Sequence, residues 1–310
     1  MGRLMRLFFY FVCLSLFLSG CGIQSERHAT QPGQTAALTE LPATETAAPT
    51  ATRSPTHTPT ATSSPTSAET ATPTPTETPA PTATPIWAWV QGRVVAPILL
   101  YHHIADDSGS NRYYVSPENF RQQMLFMQQQ GYTSITPATL VEALVHGAQL
   151  PPRPVVITFD DGNLDVYTTA FPIMRELDFV GAFYIVGDRL GAEGFVGVAE
   201  LSELVNAGWE VGSHSMTHAD LTLDHTILRA EILESRLVLE EALGVPVRSL
   251  AYPFGLADEV VANKTEDYGY IAGMGLGTFN EHTLGTLFYL SRQEVRYEYD
   301  MEAFRGLLEP

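Results

Sequence analysis

Residues 154–162 read PVVITFDDG, a nearly continuous apolar run followed by two neighbouring acids, Asp160 and Asp161, and a glycine. A short run rich in Val and Ile, bounded by Pro and Gly, reads as a strand buried on both faces, the pattern of a parallel sheet. Two adjacent carboxylates at its end repel each other and lose hydration. Something has to offset that cost.

Outward from this stretch the chain alternates. VVAPILLYHHI reads as an earlier strand, and SPENFRQQMLFMQQQG as a helix with Ser116 as N-cap, Pro117 at the first position and Gly131 as stop. YTSIT is a short strand and PATLVEALVHG a helix. After the acids, LDVYTTAFPIMRELD reads as a helix kinked by Pro172. GAFYIVG, WEVGSHS, RSLAYPFG, YIAGMG and LFYLSR read as further strands. Between them lie helical patterns, of which HTILRAEILESRLVLEEALG is the most periodic. Strands alternating with helices predict an α/β fold with crossovers. Seven or eight such units in about 220 residues favour a distorted (β/α) barrel, whose chemistry sits on the loops after the strands.

The first third of the chain has another character. Arg3 and Arg6 precede an apolar run, Leu7 to Leu18, too short for a comfortable membrane span and flanked like a secretory signal. It ends in Leu18-Ser19-Gly20-Cys21, which resembles the bacterial lipobox, so residues 1–20 are expected to be a signal peptide and Cys21 to carry a lipid. Residues 21–86, dominated by Thr, Pro, Ala and Ser, cannot bury enough surface to form a core and are expected to be a disordered, extended spacer. At ~3.1 Å per residue, its Thr/Pro-rich stretch would reach on the order of 170 Å. These expectations describe an exported protein, lipid-anchored to the bacterial cell membrane, with its domain (residues 87–310) held outside the cytoplasm.

Composition narrows the chemistry. The only cysteines are Cys13 and Cys21, so the domain has no thiol for a nucleophile or a zinc site, and any metal is held by histidine and carboxylate. The first 86 residues hold four basic and five acidic side chains, which leaves the domain 13 basic against 30 acidic, a net of −17. That balance argues against nucleic acid and suits a neutral or cationic substrate.

Polar residues collect at the expected strand ends, His102 and His103, Asp160 and Asp161, His214 and His218, and Arg292, with Phe254 among them. The spacing of His214 and His218 lets both imidazoles face one point. With Asp161 they would make an N,N,O site for a divalent cation with positions left open. Such a cation would let the second carboxylate, Asp160, remain free as a base. His146, His225 and His282 are expected at the surface, and Trp209 and Tyr252 either in the core or under a sugar.

TFDDG and HSMTH resemble the first two motifs of the NodB-homology polysaccharide deacetylases, carbohydrate esterase family 4, and the likeness covers roughly residues 97–295. The resemblance implies Asp160 as general base, Asp161, His214 and His218 as metal ligands, and the backbone N–H of Phe254 as an oxyanion donor. The ion it implies is zinc, with cobalt, nickel, iron or manganese also compatible. The family's third motif carries an arginine where AYPF has Ala251, and the C-terminal Leu-x-His appears as LSR, with Arg292 in the histidine's place. LYH occurs instead at Leu100 to His102, which resembles the permuted subgroup that includes poly-N-acetylglucosamine deacetylases. First and last strands of a closed barrel are neighbours, so either can deliver the histidine. His102 is the expected acid and His103 the alternative, since successive strand residues face opposite sides. Arg292 is expected to steady Asp160 in place of the arginine missing at Ala251.

The function expected is removal of N-acetyl groups from an N-acetylglucosamine-containing polysaccharide by a monomeric hydrolase. The alternatives are an O-acetyl esterase with the same site and a non-catalytic wall-binding lipoprotein.

Overall fold

Seven short strands, buried on both faces along most of their length, build the scaffold. In the computed structural model, which describes residues 89–107 and 111–309, the strands are β1 (Ile98–Tyr101), β2 (Pro154–Phe159), β3 (Ala182–Ile185), β4 (Glu210–Ser213), β5 (Ser249–Ala251), β6 (Ala272–Leu276) and β7 (Leu290–Glu294). The signal peptide, Cys21 and the whole spacer expected from the sequence (21–86) lie outside the described residues. Each strand pairs in parallel with the next in the chain. Gln293 and Glu294 of β7 then pair with Leu99 and Leu100 of β1, which closes a seven-stranded barrel.

One set of strand residues, including Leu99, Tyr101, Ile157, Phe159 and Phe183, packs outward on the helices. The other set, including Ile98, Val156, Tyr184, Ala251 and Met274, fills the barrel's interior and lower end. Gly212 of β4 is required here, because a β-carbon there would collide with the Tyr184 ring.

Helices α1 (Pro117–Gln129) and α2 (Pro137–His146) lie between β1 and β2. The side chain of Ser116 caps α1 by accepting from the Asn119 N–H, and Thr136 caps α2 in the same way from Thr139. Helices α3 (Phe171–Glu176), α4 (Val198–Asn206), α5 (Ser235–Leu243) and α6 (Glu259–Asp267) carry the next four crossovers, and α7 (Met301–Leu308) follows β7. Between β6 and β7 the connection instead forms a strand, Glu281–Thr283, antiparallel to Arg93–Val95.

Three details depart from the sequence reading. The kink expected at Pro172 is a wide π turn over Val166–Ala170, ending where the proline, with no N–H to give, enters α3. The long periodic helix at 225–244 is broken into a 3-10 turn (His225–Ile227), a π turn (Arg229–Glu234) and α5. Its Ser235 hydroxyl lies 2.8 Å from Ser213 Oγ at the end of β4 and 2.7 Å from the Glu231 carbonyl, which draws the segment onto the sheet. His282 is fully buried rather than exposed, with Nε2 3.0 Å from the Ala96 carbonyl. Trp209 and Tyr252 are core residues; Trp209 stacks on Phe159 at 5.5 Å between centroids.

Candidate active site

The barrel's alternation selects which side chains meet at the top. Tyr101 faces outward, its hydroxyl donating to Gln123 of α1 at 2.9 Å, so the next residue, His102, is on the inward side. By the same rule Phe159 packs outward and Asp160 inward, and Ser213 outward and His214 inward. Past the strand ends the backbone turns through left-handed conformations at Asp161 (φ 74°), Ser215 (φ 63°), His218 (φ 67°) and Phe254 (φ 60°). Non-glycine residues adopt these at a cost of about 1–3 kcal/mol each, and such cost concentrates at functional sites.

Asp160 and Arg292 are both almost wholly buried. The guanidinium makes a two-pronged contact, Nη1 to Oδ1 at 2.7 Å and Nη2 to Oδ2 at 2.8 Å, and its Nε donates to the Gly275 carbonyl at 3.2 Å. Burial alone would raise the Asp160 pKa; the positive charge of Arg292 and its hydrogen bonds outweigh that and bring it to about 2. Asp160 is therefore ionised across the physiological range. Its cost is offset by Arg292, and the charge of Asp161 is met separately by Arg189, 3.1 Å away.

His214 Nδ1 lies 2.8 Å from the Ala251 carbonyl, so it carries the proton and leaves Nε2 with a lone pair toward the acids, 3.6 Å from Asp160. His218 Nε2 lies 3.5 Å from Asp161. Ligating atoms of Asp161, His214 and His218 all fall within 4.8 Å of one another, and this donor set fits a divalent cation. Burial lowers the pKa of both imidazoles, against the pull of the nearby carboxylates, and favours the neutral form that ligation requires.

The two neighbouring histidines differ in their surroundings. The His102 ring packs against Tyr113 at 4.6 Å, and burial, opposed by the charges of Asp160 and Asp161, lowers its pKa. His103 Nδ1 is held 2.6 Å from Asp165, and its ring stacks on Tyr114 at 4.1 Å. Both line a cleft of about 460 Å³ together with Asp160, Asp161, His214 and His218. Phe254 also lines it, its ring against His218 at 4.7 Å, so every site residue expected from the sequence reaches one space.

Four residues of this neighbourhood were not read from the sequence. Arg189 pairs with Asp161 from the turn after β3. Glu231, on the π turn, accepts from the Met216 and Thr217 N–H groups at 3.1 and 3.0 Å and from the Thr217 hydroxyl at 2.8 Å. It thereby fixes the loop between His214 and His218. Asp165 accepts from the Ile104 N–H as well as facing His103, and Asn163 donates to the His102 carbonyl at 3.3 Å. The nearest signal was the acid–polar run after Gly162; nothing local marked Arg189 or Glu231.

A closed (β/α) barrel with a buried aspartate beside an Asp-His-His cluster is the arrangement that the motif resemblance implied. Residues 147–273 match the polysaccharide deacetylase family model. A Bacillus subtilis relative whose name places it with the polysaccharide deacetylases is 26% identical over 190 residues, 60% of this chain and 67% of its own. The Staphylococcus epidermidis poly-β-1,6-N-acetyl-D-glucosamine N-deacetylase is 24% identical over 175 residues, 51% of this chain and 60% of that protein. The crystal structure of a Bacillus cereus polysaccharide deacetylase superposes with a TM-score of 0.63 at 28% identity, covering 70% of this chain and 69% of that one. The chain thus spans about two thirds or less of the lengths of these proteins.

Proposed function

We propose that the protein is a metal-dependent hydrolase that removes N-acetyl groups from an N-acetylglucosamine-containing polysaccharide of the cell wall or an exopolysaccharide. The observation carrying this reading is Asp160, gripped by Arg292 and 3.6 Å from His214 Nε2 of the Asp161–His214–His218 donor set. A divalent cation held by those three donors, zinc in the first instance, would supply Lewis-acid chemistry for polarising the acetamide carbonyl. Asp160 takes a proton from water as the water oxygen bonds to the carbonyl carbon. The Phe254 N–H donates to the oxygen on which negative charge develops. Protonated His102 gives its proton to the nitrogen as the C–N bond breaks, releasing acetate and a free amine. Arg292 keeps Asp160 oriented throughout.

The same proposal places the domain outside the cytoplasm, tethered through a lipid on Cys21 and the spacer at 21–86, and acting as a monomer. A neutral polymer suits the domain's acidic balance, and the cationic amine product suits it equally.

The test is mass spectrometry of acetylated glucosamine oligomers after incubation with the zinc-loaded protein. Acetate release with the matching mass loss is expected. Release from acetylated xylan alone would make the protein an esterase, and release from neither would remove the hydrolase reading.

A further inference from the structure

We propose that the sugar chain continues past the acetylated unit into a second groove beyond Leu276, where Tyr289 and Phe279 form a platform for neighbouring sugar rings. This inference rests on the deacetylase reading of the cleft and names residues outside it.

The groove arises from the topology. No described α-helix joins β6 to β7; the strand Glu281–Thr283 and a short turn, Leu284–Thr286, make the connection. They leave a space of about 490 Å³ whose walls include Leu276, Phe279, Thr283, Tyr289 and Ser291. Leu276 also lines the catalytic cleft, so the two spaces share a wall.

Tyr289 joins them physically. Its ring lies against Gly275, where any β-carbon would collide with it, so the strand needs glycine at that point. Its hydroxyl donates to the Gly255 carbonyl at 2.8 Å, one residue beyond Phe254. The ring is thus fixed by the same turn that presents Phe254 to the cleft.

Phe279 is 71% exposed although its backbone is anchored, the N–H donating to Ser291 Oγ at 3.2 Å. An aromatic at the edge of an apolar groove offers a face on which a ring can pack. The chemistry of the groove selects the occupant. Its apolar walls carry the hydroxyls of Thr283, Thr286 and Ser291, and its one carboxylate, Glu281, is paired with Arg93 at 2.6 Å. Burial keeps His282 neutral, its pKa lowered to about 4. A mainly apolar, charge-balanced groove with aromatic faces and a few hydroxyls suits a neutral N-acetylated sugar ring, with its C–H face and hydroxyl rim, better than a charged peptide or headgroup.

The experiment compares binding of two-unit and six-unit acetylated glucosamine oligomers to the full chain by calorimetry, with acetate release measured in parallel. The wild type is expected to bind the six-unit oligomer about tenfold or more tighter than the two-unit one. Phe279→Ala, a change at an exposed position, is expected to abolish that gain and leave two-unit binding unaltered; Phe279→Trp should restore it. A length-dependent gain that survives Phe279→Ala, or no gain in the wild type, overturns the proposal. Binding with the Phe279-dependent gain but no acetate release supports the groove and sinks the hydrolase reading. Acetate release with a gain indifferent to Phe279 sinks the groove alone.

Discussion

Arg292, on the last strand of the barrel, crosses to the second strand and grips Asp160 with both guanidinium nitrogens at 2.7 and 2.8 Å. The family's arginine is absent at Ala251, and the charge comes from the opposite side of the closed sheet. A barrel permits this because its interior residues converge whichever strand carries them.

Removing that arginine leaves a buried carboxylate without its counter-charge. Arg292→Met is expected to cost about 3–5 kcal/mol of stability and to raise the Asp160 pKa, since burial then acts unopposed by the guanidinium. Activity on amide and ester substrates should fall together. Arg292→Lys keeps the charge but loses the fork, and should recover stability only in part. Denaturant titration of both variants, beside their rates, checks this.

His102 should behave in another way. An amide's leaving nitrogen needs a proton, whereas an activated aryl acetate leaves without one. His102→Ala is expected to lose roughly two to four orders of magnitude on the acetamide and far less on the ester. His103→Ala, which breaks the Asp165 contact, should show no such selectivity. An amide-selective loss at His103 instead would transfer the acid role to it.

Glu231 touches no donor atom of the proposed metal site, yet it fixes the loop between His214 and His218 through three accepted hydrogen bonds. Glu231→Ala should weaken zinc affinity roughly 10–100-fold, as loss of a supporting contact around a metal site does. Competition with a chromophoric chelator measures this directly; unchanged affinity would mean that backbone strain alone holds the loop.

These residues divide into those the sequence displays and those it hides. The strand ends were legible because apolar runs stop at TFDDG, GSHS and AYPF, and because alternation fixes which neighbour faces inward. Arg292 was legible as a charged residue at the end of an apolar strand. Arg189 and Glu231 were hidden, since each acts across a gap in sequence, 28 residues from Asp161 and 14 from Thr217. The periodic pattern at 225–244 predicted one helix, but periodicity does not register a side chain turned toward a loop, and the π turn follows that tertiary demand. His282 was misread because an isolated histidine carries no sign of burial; only its pairing with the segment before β1 encloses it.

That buried histidine gives a pH prediction away from the proposed active site. Burial lowers its pKa from 6.5 to about 4, so the folded state resists a proton that the unfolded chain accepts. Its contribution is fully present above pH 6.5 and is lost as pH falls from 6.5 toward 4, by about 3 kcal/mol in all. Unfolding measured at intervals over that range should show a steeper acid-side loss in the wild type than in His282→Asn.

In the proposed mechanism the neighbouring acids divide the labour, Asp160 as base and Asp161 as ligand. The most direct test is to measure bound zinc and acetamide turnover on one preparation of Asp160→Asn. The predicted result is metal at the wild-type stoichiometry with the rate reduced on the order of 10²–10⁴. Loss of the zinc in proportion to the activity would contradict it, and would make Asp160 a ligand rather than the base.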